Sequence, residues 1–591
     1  MTEHQIKSTI VFLIFFLLKT LTFSQISIHE EQLNYYNNLG ELTDHQYDKL
    51  NGYSNTQTNT NRSTCNLNKI VFGWHPYWVG SAYLNYDWNL LSDFSYFSYE
   101  VNPSTGNANT THNWSTANAV DSALANGVRV NLCVTLFSNH TTFFSSPLTQ
   151  QTLITNLISL VQSRGAHGVN IDFESMSSSH KTDFTNFMIN LSNQMHAAIP
   201  GSQVSVAIYA VDWNNLYDVA TLAPYVDLFV MMGYGYYWTN SSTAGPTDPL
   251  YHYISNSYKY SLSRSITYYL DKGLPADQFV IGLPYYSRDW PVSSGTIPSP
   301  TTGAGSAKTY AQIRNNSNGY YNNKIWHNPS KTPYYTYVDG TNIRQCFAID
   351  DESFSERLKV IRRRGLAGMG IWALGYDNGY SNLWDGIENE FTDCLSEPCS
   401  DTLYDMGGEE RNYYDRENYI YTISGTIGGT IDLDFKSFDV ELNYDYLRLY
   451  DGIDTSSPLI GVYTGINSPG IVNAGSDVTF WFYSDGATTN PGWEVVYNCN
   501  IPTQTPVFNI NTFKSYPNPV YNMLNFMWET PINEIGSLYI IDKLGCVLLE
   551  KKVNLYEDLV LQLDLGFLVS GIYTYQLKTK NAKCVGVFRK Y

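Results

Sequence analysis

The sequence predicts an α/β chain, a (β/α)8 TIM barrel followed by an antiparallel β-sandwich and a small C-terminal β-sandwich module. Three observations predict it. From Lys69 onward, short β-branched or aromatic runs alternate with longer amphipathic stretches, which is the rhythm of repeated βα units around a parallel sheet. After Cys399 the rhythm changes to closely spaced strands with turn signals and no helical period, as in an antiparallel sandwich. At 591 residues the chain is also longer than one hydrophobic core usually organises, so a large domain should be followed by smaller ones.

Taken in order, the elements begin with Lys7, an apolar run over 10–18 and Thr22-Phe23-Ser24-Gln25, which read as a secretory signal over 1–24 with cleavage near Ser24. The apolar run is too short to span a bilayer, and no other stretch is long and apolar enough for a transmembrane segment. Residues 25–66 are polar, rich in Asn, Thr and Tyr, and without clear periodicity, so they read as a leader to the first domain. The barrel is placed at 67–394, with strands at 70–73, 94–99, 129–135, 168–173, 203–207, 228–232, 279–282 and 367–372. Between 288 and 347 the helical period is lost in Gly, Ser, Pro, Asn and Tyr, which predicts an insertion after the seventh strand that walls the cleft. The sandwich is placed at 399–499, a linker at 500–512 and the last module at 513–591.

Composition narrows the partners. With 35 Lys+Arg against 54 Asp+Glu the net charge is −19, which repels nucleic acid and anionic membranes and leaves neutral polymers as candidates. The 49 Tyr and 13 Trp suit a surface that stacks on sugar rings. Eight cysteines in an exported chain are free to pair. Cys65 and Cys394 bracket the barrel, Cys399 and Cys499 the sandwich, and Cys546 and Cys584 lie near the C-terminus. Cys133 and Cys346 read as buried thiols, and the connectivity is left open.

Chemistry concentrates in His167-Gly168-Val169-Asn170-Ile171-Asp172-Phe173-Glu174. Successive side chains of a strand alternate faces, so Asn170, Asp172 and Glu174 share the face that points into the barrel. The active site of such a barrel lies at the C-terminal strand ends, and Glu174 is nearest that rim. Burying two carboxylates together raises the pKa of one, which suits Glu174 as a general acid near neutral pH.

This segment resembles the D-x-x-D-x-D-x-E signature of glycoside hydrolase family 18, with His167 and Asn170 standing at the first two acidic positions and Asp172 and Glu174 matching the last two. Its GVNIDFE form is similar to a branch that includes peptidoglycan-directed N-acetylglucosaminidases. Met231-Met232-Gly233-Tyr234 resembles the family's M-x-Y motif, with Gly235 in place of the Asp that often follows. The segment Gly370-Ile371-Trp372 resembles the eighth-strand motif whose Trp floors the cleavage subsite. Strand ends at Trp74, Tyr99-Glu100 and Tyr285 fall where the family has cleft residues. The resemblance implies a catalytic set of Glu174, Asp172 and Tyr234 and a substrate-binding set of Trp372, Asn170, Met232, Tyr99, Glu100, Trp74 and Tyr285, acting without a cofactor. It further implies substrate-assisted retaining hydrolysis of β-1,4-linked N-acetylglucosamine polymers, chitin first and peptidoglycan second. A silent glycan-binding lectin is the alternative of a different class, kept open by His167, Asn170 and Gly235.

Residues 399–499 resemble a CUB domain through Tyr404-Asp405-Met406-Gly407-Gly408, Phe435 to Glu441, Tyr444-Asp445-Tyr446-Leu447, Tyr450-Asp451-Gly452 and Ser484-Asp485-Gly486. The resemblance implies a Ca2+ site at Glu441, Asp445 and Asp485. Tyr516-Pro517-Asn518-Pro519-Val520 with Ser570-Gly571-Ile572-Tyr573 resembles the C-terminal sorting domain of the type IX secretion system. That implies the type IX secretion machinery as partner and export across the outer membrane of a Bacteroidetes-type bacterium, to be secreted or attached at the outer surface.

Overall fold

The computed structural model describes residues 26–53, 65–254, 260–393, 400–409, 411–425, 428–500, 513–528, 535–542, 547–554, 560–578 and 583–591. The signal segment, the 500–512 linker apart from Asn500, and Cys394, Cys399 and Cys546 lie outside these residues.

Eight parallel strands form the barrel: β1 (Ile70–Pro76), β2 (Asp93–Val101), β3 (Arg129–Leu136), β4 (Gly168–Phe173), β5 (Gln203–Tyr209), β6 (Leu228–Met232), β7 (Phe279–Pro284) and β8 (Gly368–Trp372). Each pairs in parallel with its neighbour in sequence. The ring closes because β1 pairs both with β2 and with β8, where Ile70 lies opposite Gly368. Both faces of these strands are covered, the inner by the opposite wall and the outer by helices, which is why they read as nearly continuous apolar runs. Every strand expected from the sequence is present.

The outer helices carry their own stop signals. Pro147–Arg164 starts with Ser146 accepting from Thr149 N and with Pro at the first turn, and it ends on Gly165 in the left-handed region. Asp351–Arg363 opens with a capping box at Asp350 and carries Arg362 and Arg363 in its last turn, opposite the helix dipole's negative end.

The expected insertion begins as early as Tyr286 and is a sheet of its own. Tyr286–Val292, Ser306–Thr309, Ile325–His327, Thr332–Asp339 and Asn342–Phe347 make a five-stranded antiparallel sheet with a short helix at Tyr310–Asn315. Buried Asp289 anchors it, accepting from Arg344 Nε at 3.0 Å and Tyr321 OH at 3.1 Å. Cys346 within this sheet and Cys133 in β3 are buried thiols, whereas Cys65 is disulfide-bonded.

Beyond the barrel, two four-stranded antiparallel sheets between Ser400 and Asn500 stack as a sandwich around Leu433, Leu449, Phe480, Trp493 and Val495. It meets the barrel's helices through Arg264 and Asp415 at 3.1 Å and Arg363 and Asp401 at 3.3 Å. The last module is a three-stranded and a four-stranded antiparallel sheet with a separate core that includes Val520, Leu524, Phe526 and Leu538. Among the described residues no helix is long and apolar enough to cross a membrane.

The leader departs from expectation. It folds as two helices, α1 (Ile28–Asn37) and α2 (Asp44–Asn51), that lie across the mouth of the barrel. Ser27 caps α1 by accepting from Glu30 N, and Thr43 and Gln46 form a complete capping box for α2. Both starts carry the spacing Ser/Thr-x-x-Glu/Gln, a local signal that the polar composition conceals.

Candidate active site

The inward face of β4 is the chemical axis of the barrel. Asn170, Asp172 and Glu174 are all buried, stacked from the middle of the barrel toward its C-terminal rim. Asn170 is clamped: Trp74 Nε1 donates to its Oδ1 at 2.8 Å, and its Nδ2 donates to Ser205 Oγ at 2.9 Å. His167 is at the opposite end of β4, where its Nδ1 accepts from Val130 N at 2.9 Å, so the residue at the first signature position takes no part in the rim. Gly235 uses its backbone N–H on Thr247 Oγ1 at 3.0 Å.

The carboxylates converge with groups from other strands. One imidazole, that of His29, measures the convergence. Its Nδ1 lies 2.7 Å from Asp172 Oδ2 and 3.5 Å from Glu174 Oε1, and its Nε2 lies 2.7 Å from Tyr234 OH. The ring stacks on Trp372, with centroids 3.6 Å apart and planes inclined by 26°, and Trp74 meets it edge-on at 5.4 Å. Ser27 Oγ donates to Glu174 Oε1 at 2.8 Å. Asp172 Oδ1 and Glu174 Oε2 are buried without a hydrogen-bond partner, the kind of unmet polar capacity found at sites of binding or catalysis. Met232 is buried and lines the cavity beside Glu174 and Tyr234.

Burial, reinforced by the charge of Asp172, pushes the Glu174 carboxyl well above the ordinary carboxylate range, while the Ser27 hydroxyl opposes the shift. Burial also raises the Tyr234 phenol, which keeps it a hydrogen-bond donor. A carboxyl whose acid form is favoured by burial at the mouth of a barrel can deliver its proton to an oxygen of a bound ligand.

Two residues expected in the cleft face elsewhere. Tyr99 donates its hydroxyl to Gly106 O at 2.8 Å and receives Asn156 Nδ2 at 3.4 Å, so it lies between β2 and the helix Pro147–Arg164. The register of β2 against β3 shifts between Tyr96 and Tyr99, and Phe97 presents its ring to the site, 5.1 Å from Trp372. Tyr285 packs on Phe354 at 5.8 Å, behind the barrel, and its neighbour Tyr286 meets Tyr234 at 6.0 Å. Glu100 sits at the rim, accepting from His112 Nε2 at 2.6 Å and Asn37 Nδ2 at 2.9 Å. Ser27, His29, Glu31 and Gln32 escaped the sequence reading, and the Ser27-x-x-Glu30 cap was the signal that could have marked their helix.

In the sandwich, Glu441, Asp445 and Asp485 bring carboxylate oxygens within 4.8 Å of one another. Asp445 accepts from Asp485 N at 2.8 Å and from Tyr413 OH, while buried Glu441 Oε2 has no partner. Hard oxygen donors with an orphaned acceptor among them fit a Ca2+ ion.

The site is thus a closed parallel barrel with a buried carboxylate pair at the end of its fourth strand, facing a tyrosine and a tryptophan from the sixth and eighth. The chain belongs to Glycosyl hydrolases family 18, whose profile matches residues 82–377; those of the CUB domain and the Secretion system C-terminal sorting domain match 402–497 and 514–588. Among curated proteins it is 26% identical over 259 residues to a Caenorhabditis elegans protein named Probable endochitinase, covering 40% of this chain and 41% of that one. It is 25% identical over 253 residues to Chitotriosidase-1 of Mus musculus, covering 39% of this chain and 53% of the relative. The chain thus spans about half the length of these relatives. The solved Group IV chitinase of Ostrinia furnacalis in complex with allosamidin superposes with a TM-score of 0.49 at 18% identity, over 54% of this chain and 98% of that one. The sorting domain indicates export to the outer surface or medium of a Bacteroidetes-type bacterium.

Proposed function

We propose that the chain hydrolyses β-1,4-linked N-acetylglucosamine polymers, chitin or chito-oligosaccharides, by a substrate-assisted retaining mechanism. The observation that carries this reading is the convergence of Asp172, Glu174 and Tyr234 on one small planar ring that lies on Trp372. That cradle matches a pyranose on the indole with its 2-acetamido group between Asp172 and Tyr234. Glu174 protonates the glycosidic oxygen as the bond from the anomeric carbon breaks, and the acetamide oxygen attacks that carbon. Asp172 accepts the acetamide N–H and stabilises the positive charge that develops, while Tyr234 donates to the acetamide oxygen. Water then opens the cyclic intermediate, with Glu174 taking back a proton. In this role the carboxylate pair needs no second nucleophile from the protein.

The test is hydrolysis of chito-oligosaccharides and of purified peptidoglycan by the chain and by Glu174→Gln, each also in a His29→Ala background because His29 occupies the site, with products identified by mass spectrometry. Chito-oligosaccharide cleavage that disappears with Glu174 supports the reading. Cleavage of peptidoglycan alone transfers it to a peptidoglycan N-acetylglucosaminidase, and binding without cleavage in any background makes the barrel a lectin. The accompanying sandwich would hold Ca2+ on Glu441, Asp445 and Asp485, and the sorting tail would be removed on passage through the type IX machinery.

A further inference from the structure

We propose that residues 26–53 form an intramolecular inhibitory segment, a peptide that occupies the sugar-binding subsite and must leave before a polymer can bind. The proposal rests on the catalytic reading above for the meaning of the subsite, and on the geometry of the segment for its occupancy.

The segment reproduces the polar contacts of the substrate it displaces. An acetamide offers an N–H and a carbonyl oxygen in one plane. His29 offers Nδ1 to Asp172 Oδ2 at 2.7 Å and Nε2 to Tyr234 OH at 2.7 Å, also in one plane, with its face on Trp372. In the neutral tautomer that donates from Nδ1, the donor meets the carboxylate and the acceptor meets the phenol. Ser27 Oγ donates to Glu174 Oε1 at 2.8 Å, on the carboxyl assigned to protonate the leaving oxygen. Gln32 Oε1 accepts from Trp372 Nε1 at 3.0 Å and Tyr376 OH at 2.9 Å. Glu31 pairs with buried Arg288, its Oε2 receiving Nη2 at 2.8 Å.

These contacts are built in. His29 is 0% exposed, and Ile28 and Leu33 on the same helix are buried with it. The barrel's loops are shaped to the segment: Tyr36 stacks on Trp78 with centroids 4.7 Å apart and planes 7° from parallel, and Asp48 accepts from Ser81 N at 2.9 Å and Ser81 Oγ at 2.7 Å. Gly80, at φ +56, lets α2 approach, because any side chain there would collide with the Asp48 carboxylate. Beside His29 the cleft retains a cavity of about 210 Å³ lined by Ser27, Ile28, Glu174, Met232 and Tyr234, and no sugar can reach the Trp372 face while His29 lies on it.

Tethering makes even a modest peptide effective. At an effective concentration of about 1 mM, a segment that binds with a Kd of about 10 μM when free lowers the accessible fraction by about 100-fold. The experiment uses the full chain with a specific protease site introduced between residues 54 and 64. Hydrolysis of a fluorogenic chito-oligosaccharide is followed before cutting, after cutting with removal of the released segment, and after adding back a synthetic 26–53 peptide or its His29→Ala form. Calorimetric binding of both peptides to the cut chain is measured in parallel. A rise in kcat/KM of tenfold or more on release, reversed by the native peptide and not by the His29→Ala peptide, is the expected result. Full-length His29→Ala should be partly relieved without cutting. Equal activity before and after cutting, with no binding of the native peptide, overturns the proposal. Tight His29-dependent binding without hydrolysis in any state retains the occupancy of the cleft and removes the catalytic reading instead.

Discussion

Trp74 donates its indole N–H to Asn170 Oδ1 at 2.8 Å, and that bond fixes which end of the Asn170 amide faces Ser205. The amide therefore supplies a neutral layer beneath Asp172 and Glu174, at a position where the family signature more often has a carboxylate. Asn170→Asp would place a third acidic group in the stack, and its negative charge would raise the proton affinity of the groups above it. The expected outcome is an alkaline limb of the kcat profile moved to higher pH by about one unit, measured on chito-oligosaccharides in the released chain.

Burial and the Asp172 charge hold the Glu174 carboxyl well above its ordinary range, which favours its acid form. Because catalysis requires the protonated form, activity falls as pH rises through the Glu174 pKa. Glu174→Gln should lower kcat by about 10² to 10⁴ and remove that limb while leaving oligosaccharide binding within a few-fold, as read by calorimetry beside stopped assays.

Calcium should stabilise the sandwich through Glu441, Asp445 and Asp485. At a free concentration of about 100 times Kd the gain is about 2.7 kcal/mol, visible as a rise in the unfolding temperature of that domain that chelation reverses. Asp445→Ala should abolish the calcium-dependent shift. An unfolding temperature indifferent to calcium in the native chain would leave the three carboxylates as a turn cluster.

Asp248 and Arg357 form a buried ion pair at 2.6 Å that ties the loop after β6 to the helix preceding β8. Arg357 also donates to Asp248 O, Lys331 O and Ser353 O, so its charge is fully committed. Asp248→Ala would leave that guanidinium without its counter-charge and should destabilise the barrel by about 3 to 5 kcal/mol, measured by denaturant unfolding. Arg357→Met with Asp248→Leu, which removes both charges, should cost much less.

The barrel was legible because a parallel strand covered on both faces writes a short apolar run, and eight of them recur at βα spacing. The stack on β4 was legible for the same reason in reverse: Asn170, Asp172 and Glu174 are polar at every second position of a run that is otherwise apolar. Tyr99 and Tyr285 lie on the side away from the cleft, against expectation. Period-two alternation fixes which residues share a face only while the register holds, and β2 shifts at Tyr96. Tyr285 follows directly on the end of β7, where neighbouring tyrosines differ only in direction, and Tyr286 is the one turned to the cleft. The leader was illegible for a different reason. Helix α1 buries the polar His29 alongside Ile28 and Leu33, so its buried face is not written as an apolar stripe, and its cleft partners Asp172 and Trp372 lie 143 and 340 residues away.

Ring closure also sets a clock. Trp372 ends β8, the strand that seals the cylinder against β1, and it is the same residue that donates its indole N–H to Gln32, 340 positions earlier in the chain. Neither the cylinder nor its stopper can be completed until the chain has been made through Trp372, and contacts so distant in sequence are among the slowest to form. On the proposal above, the cylinder and the segment that fills it therefore wait on the same strand, made 340 residues after Gln32.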